Sequence, residues 1–134
     1  MARIGMIEGL GRSQASSLQR AGIRTTDDLL SAAGDGGKRK QLAQNTRVQE
    51  TQLLDWVNRA DLMRVRGIGT QFSDLLEAAG VDTVKELGNR VPDNLYKRLG
   101  EINSQKHLTR RAPNATEVRS WVGQAKRLQP VVSH

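Results

Sequence analysis

The sequence predicts an all-α protein made of two similar halves, and three observations predict it. No stretch alternates apolar and polar residues with period two over a convincing length. Several stretches instead space their apolar residues as helices do. A glycine-aliphatic-glycine turn with its flanks also occurs twice, as Ile7-Glu8-Gly9-Leu10-Gly11 and Val65-Arg66-Gly67-Ile68-Gly69, whose first glycines stand 58 positions apart. At that offset Leu18 falls on Leu76, Ala21-Gly22-Ile23 on Ala79-Gly80-Val81, Thr25 on Thr83 and Leu29 on Leu87. A match this long argues duplication, and an internal repeat sets the architecture. The predicted units are 1–64 and 65–129, with 130–134 a loosely ordered tail.

In chain order, residues 3–8 make a short lead-in helix before the first turn. Ala15, Leu18 and Ala21 then form a helical stripe, matched by Phe72, Leu75, Leu76 and Ala79. Gly22 and Gly80 stand where a helix end needs positive φ. Thr25 with Asp28, and Thr83 with Glu86, have capping-box spacing: the threonine oxygen accepts from a first-turn amide and the carboxylate bonds back. Helices therefore begin near Thr26 and Val84, burying Leu29-Leu30 and Val84/Leu87.

Gly34-Asp35-Gly36-Gly37 followed by Lys38-Arg39-Lys40 invites a phosphate-loop reading. That motif needs Ser or Thr after its lysine and a buried strand before it, and neither is present. The segment is predicted to be a loop leading into a helix that buries Leu42 and Ala43. Leu53, Trp56, Val57, Ala60 and Met63 then mark one face of a clear helix, with Asp55, Asn58, Arg59 and Asp61 on the other. Its counterpart is Val118, Trp121, Val122, Ala125 and Leu128, and both tryptophans sit mid-stripe as core anchors. Pro92 can open a helix through Leu95, Leu99 and Ile102, and Asn114 with Glu117 opens the last one. Between them, about seven extra residues around Gln105 to Asn114 form a basic loop. Eight to ten short helices result.

Composition narrows the function. The 134 residues include no cysteine and two histidines, so thiolate metal sites are excluded and no Ser/His/Asp or Cys/His set can be assembled. His107, inside Lys106-His107-Leu108-Thr109-Arg110-Arg111, reads as a surface residue. No catalytic residue, metal or cofactor is expected. No apolar run approaches the ~20 residues that span a bilayer, and no secretory leader is evident, so a cytoplasmic protein without a membrane partner is the default. The net charge of +7 favours polyanionic partners. Both halves carry the excess: ten Lys/Arg against seven Asp/Glu through Arg64, and eleven against seven after it. At 3% aromatic content there is no platform for stacking unpaired bases, which counts against single strands.

In a glycine-aliphatic-glycine turn between helices, the glycines fold the backbone tightly and the aliphatic residue plugs the core. The amides that open the next helix are left outward, where they and the helix dipole attract a phosphate oxygen. Such backbone contact positions a protein on nucleic acid without reading sequence.

Val65 through Val81 resembles the helix-hairpin-helix motif, with its hairpin glycines, the small residue Ser73 and the aliphatic Leu76. Ile7 through Ile23 fits the same pattern with Ala15 and Leu18. The stretches from Ile23 to Leu30 and from Val81 to Leu87 resemble the continuation of tandem helix-hairpin-helix (SAM-like) units. The chain to about Leu128 is similar to the small prokaryotic proteins grouped as the domain of unknown function DUF4332, notably over Leu53 to Arg64. The wider helix-hairpin-helix resemblance implies sequence-independent binding to double-stranded DNA.

The residues implied for DNA are Gly9, Leu10, Gly11, Arg12 and Ser13 in the first turn, and Gly67, Ile68, Gly69, Thr70 and Gln71 in the second. Arg64 and Arg66 flank the second turn, and Lys38, Arg39, Lys40, Arg110 and Arg111 are further candidates. DNA-binding versions often carry a cation where this chain has Ser13 and Gln71, and Glu8 opposes phosphate at the first turn. The segments at Thr46 to Gln49 and Ala112 to Ala115 lack the glycine pair and read as structural. The alternative function is a protein-interaction adaptor or scaffold on the same helical fold; an enzyme would need a catalytic set that the sequence does not offer.

Overall fold

The computed structural model describes residues 2–134; Met1, the first residue of the predicted first unit, lies outside the described residues. Regular structure among the described residues is helical. A 3-10 turn, Ile4–Met6, precedes α1 (Arg12–Arg20), α2 (Thr26–Ala33), α3 (Gly36–Thr46), α4 (Glu50–Leu62), α5 (Thr70–Ala78), α6 (Val84–Gly88), α7 (Pro92–Lys106) and α8 (Ala115–Arg127). The chain divides into two compact units, one of residues 1–61 with 131–134 and one of residues 62–130.

In the first unit the lead-in segment is tied down by an isolated antiparallel bridge between Arg3 and Thr25. Ile4 N–H donates to Arg24 O at 3.0 Å and Thr26 N–H to Ala2 O at 2.8 Å. Helix α2 opens on a full capping box. Thr25 Oγ1 accepts from Asp28 N–H at 3.1 Å, and the Asp28 carboxylate accepts from the amides of Thr25 and Arg24. Those two backbone donors hold the Asp28 carboxyl below its usual range. Ile4, Leu18, Leu29, Leu53, Trp56 and Val57 are buried, each such side chain contributing roughly 1.5–3 kcal/mol over exposure.

Three expectations are corrected here. Lys38-Arg39-Lys40 lies inside α3, because the Asp35 side chain accepts from Lys38 N–H at 3.0 Å and starts the helix at Gly36. Asn58 and Asp61, expected on the polar face of α4, are 7% and 1% exposed. Asn58 is covered from outside the helix, its Oδ1 lying 3.3 Å from His134 Nε2. The third correction is that contact's origin: residues 131–134 are docked on the first unit, where Ser133 N–H donates to Gly34 O at 2.9 Å.

The second unit packs α5, α6, α7 and α8 around a core that includes Leu62, Val65, Ile68, Leu75, Leu76, Leu87, Leu99, Val118 and Trp121. Gly88 lets α6 approach α8, since a Cβ there would lie 3.4 Å from the Lys126 amide nitrogen. The expected box at Thr83 is half made. Thr83 Oγ1 accepts from Glu86 N–H at 3.3 Å, while Glu86 Oε1 accepts from Arg90 Nε at 3.0 Å. Asn114 and Glu117 complete theirs in both directions, at 2.8 and 3.0 Å. The expected loop runs from His107 to Asn114 and is pinned by Asn103, which accepts from Thr109 N–H at 2.9 Å and donates to Thr109 O at 3.2 Å. His107 is exposed and ends α7 in the left-handed region, at φ 51°.

Candidate nucleic-acid interface

Both glycine turns take the same local form. Gly9 has φ 85° and Gly67 φ 96°, and in each turn the aliphatic residue's N–H donates back three positions at 3.2 Å, Leu10 to Ile7 O and Ile68 to Val65 O. Leu10 and Ile68 are buried while the glycines stay exposed. At the far end of the following helix, Ile23 N–H donates to Leu18 O and Val81 N–H to Leu76 O, each at 2.9 Å, around Gly22 and Gly80 at φ 87° and 85°. The expected positive φ at those glycines is present.

The two turns differ where an anion would approach. In the first, Gly11 N–H already donates to Gln14 Oε1 at 2.8 Å, and exposed Glu8 stands beside Gly9. In the second, Phe72 occupies the position matching Gln14 and has no oxygen to offer. Helix α5 follows the N-cap residue Gly69, and Gly69 and Gln71 are exposed. Thr70 has contacts of its own.

Helix α8 holds the second turn in place. Gln124 Oε1 accepts from Arg66 N–H at 2.9 Å and Gln124 Nε2 donates to Arg66 O at 3.2 Å, while Ser120 Oγ accepts from the same amide at 3.1 Å. A Cβ on Gly67 would lie 3.0 Å from Trp121 Nε1, so a larger residue here would press on the Trp121 ring as well as hold a positive φ. Beside the turn lies an open depression of about 570 Å³ lined by Arg66, Gly67, Ser120, Gln124, Arg127 and Leu128. Arg66 and Arg127 are exposed there. The position of Arg127 in the last turn of α8 also suits the negative end of that helix.

The remaining sequence candidates differ in what they meet. Arg12 and Ser13 are exposed at the start of α1, and Lys38 and Lys40 are exposed on α3. Arg64 is half-buried and already has a partner. Arg39 does not belong with its neighbours: at 3% exposure it faces inward and donates to Ala33 O at 3.0 Å, Gly34 O at 3.1 Å and Ser133 O at 2.7 Å. Arg110 is exposed, but Arg111 is paired with both oxygens of Glu117, at 2.6 and 2.9 Å. That pairing, with the Asn114 amide, holds the Glu117 carboxyl below its usual range. The Arg111 guanidinium also lies 5.4 Å from the Phe72 ring centre, and Phe72 is 5.1 Å from Trp121. Arg39 and Arg111 are thus occupied by the fold, because buried carbonyls and a neighbouring carboxylate claim their donors first.

Arg127, Ser120 and Gln124 were missed by the sequence reading. The available signal was their spacing of three and four residues along one helix, on the polar side of the Trp121 stripe.

Among the described residues no group of three His, Asp or Glu side chains is placed to hold a metal ion, and no helix is long and apolar enough to cross a membrane. A family model described as "Domain of unknown function (DUF4332)" matches residues 8–128. Comparison with curated proteins and with solved structures gives no match.

Proposed function

We propose, for a chain that belongs to the DUF4332 family, a non-enzymatic role in binding double-stranded DNA without sequence preference. In this reading the two glycine turns are helix-hairpin-helix elements of two related units, and the second is the phosphate contact. One observation carries it: the Gly67 turn shares an open depression with two exposed arginines, Arg66 and Arg127. Two neighbouring cations suit a phosphodiester, and guanidinium groups can pair two of its oxygens at once. The first turn contributes less, because its Gly11 amide is taken and Glu8 repels phosphate.

The experiment is a titration of labelled duplex, single strand and RNA at two salt concentrations. Duplex binding that weakens as salt rises supports the reading. Absence of duplex binding at low salt, with the protein folded, overturns it. A second reading, a protein-interaction adaptor, is favoured by Val91 and Tyr96, which stay 58% and 39% exposed at the start of α7. It predicts a protein partner retained after nuclease and high salt.

A further inference from the structure

We infer that the corner between α2 and α3 is a receptor for an extended, hydroxyl-bearing segment, and that residues 131–134 of a second copy can fill it in place of the chain's own. The corner contacts every polar group of Ser133. Its N–H donates to Gly34 O at 2.9 Å, its carbonyl accepts from Arg39 at 2.7 Å, and its Oγ accepts from Gly36 N–H at 2.9 Å. Backbone shape is selected as well. A Cβ on Gly34 would lie 2.5 Å from Val131 O and 2.6 Å from Leu30 O, so glycine is what lets the segment lie against the end of α2.

Arg39 makes this a built site. It is buried, and its hydrogen-bond partners are carbonyl oxygens, one of them supplied by the segment itself; its Nε has no partner. A buried guanidinium left without such acceptors is costly, so an empty corner recruits a replacement segment. The corner is also accessible, because a depression of about 520 Å³ lined by Gly37, Arg39, Glu50, Thr51, Leu54 and His134 adjoins the seated residues.

These bonds are local to 131–134, so the same set forms whichever molecule supplies the segment. The chain's own copy is favoured because it is tethered, whereas supply from a second copy rises with protein concentration. Exchange between copies therefore grows with concentration, and most readily when two chains refold together.

The test uses the 134-residue chain, which has no native cysteine. A Gly36→Cys chain is mixed with a Ser133→Cys chain, and the pair is co-refolded at micromolar and at millimolar concentration, oxidised and mapped by mass spectrometry. A Cβ at Gly36 would lie 3.7 Å from Ser133 Oγ, in ordinary contact, so the substitution fits. Seating of one chain's segment on the other holds cysteines 36 and 133 together, so it raises their disulfide yield above the collisional background that the control measures. The expected result is a 36–133 cross-link about tenfold above that between Ser133→Cys and a Gln105→Cys control at millimolar protein, reduced several-fold when Arg39→Met is added to the Gly36→Cys chain. A 36–133 yield no higher than the control overturns the inference. Light scattering of the unaltered chain over the same concentrations is a second readout: a growing dimer fraction supports exchange, and a monomer throughout overturns it.

Discussion

The side-chain amide of Gln124 grips both backbone polar groups of Arg66, accepting from its N–H at 2.9 Å and donating to its carbonyl at 3.2 Å. The arginine thus stands on a turn fixed from a helix nearly sixty residues away. Gln124→Leu should cost about 1 kcal/mol of stability, the usual value for a partly exposed pair of hydrogen bonds. Under the proposed function it should also weaken duplex binding while Arg66 itself remains. Thermal melts and duplex titrations of the one variant check both outcomes, and unchanged affinity would separate the clamp from the interface.

Arg66→Ala combined with Arg127→Ala should lower duplex affinity and reduce the slope of log affinity against log salt by roughly one to two, one phosphate contact per arginine. Lys38→Ala with Lys40→Ala is the comparison, since both lie on α3 of the other unit. An equal loss from the two pairs would mean diffuse attraction to a basic protein rather than a site at the Gly67 turn.

Gly67→Ala and Gly9→Ala should differ. Both glycines sit at positive φ, and an alanine there costs about 1–2 kcal/mol through the backbone alone. At Gly9 nothing stands within 4 Å of the added methyl, whereas at Gly67 it meets Trp121 Nε1 at 3.0 Å. The Gly67 variant should therefore be the less stable by about 1 kcal/mol or more in denaturant unfolding. Equal stabilities would show that Trp121 yields freely.

Lowered carboxyl pKa values give the acid limb of stability its sign. The Glu117 carboxyl is held down first by the hydrogen bonds from Arg111, then by the Asn114 amide, and the Asp28 carboxyl by the amides of Arg24 and Thr25. A group depressed on folding contributes fully above its unfolded pKa, about 4.3 for Glu, and loses that contribution as pH falls through the folded value. Stability should be level near neutrality and decline below about pH 4.5. Glu117→Gln should be less stable at neutral pH and should flatten that decline, read from melting temperature against pH. A steepened decline would contradict the assignment.

Arg39→Met should destabilise the first unit by about 1–3 kcal/mol, because it strips the donor from buried carbonyls, while Lys38→Ala one position away should stay within about 0.5 kcal/mol. Denaturant midpoints of the two variants make the comparison. Equal effects would mean that Arg39 is as exposed as its neighbour.

Much of the fold was legible because it is written in bonds that close within a few residues. Thr25 with Asp28, Asn114 with Glu117, Gly22, Gly80 and Pro92 each declare a helix end locally, and the structure places the ends there. Trp56 and Trp121 declared the core because period and size agree. The candidate site was less legible, since charge type does not reveal what a side chain meets. Lys38, Arg39 and Lys40 read alike, yet Arg39 turns inward to a carbonyl ninety-four positions away. Arg110 and Arg111 read alike, yet Arg111 closes on Glu117. Arg127 passed unnoticed because its place beside Gly67 depends on how α8 returns to the turn.

The return of residues 131–134 to the first unit also bears on the order in which the protein is made. Domains commonly fold as they leave the ribosome, the N-terminal one first. Here the first unit stays unfinished while the whole of the second is being synthesised, because the carbonyl that completes the Arg39 shell and the hydroxyl that accepts from Gly36 are both on Ser133. The unit that is translated first is completed last.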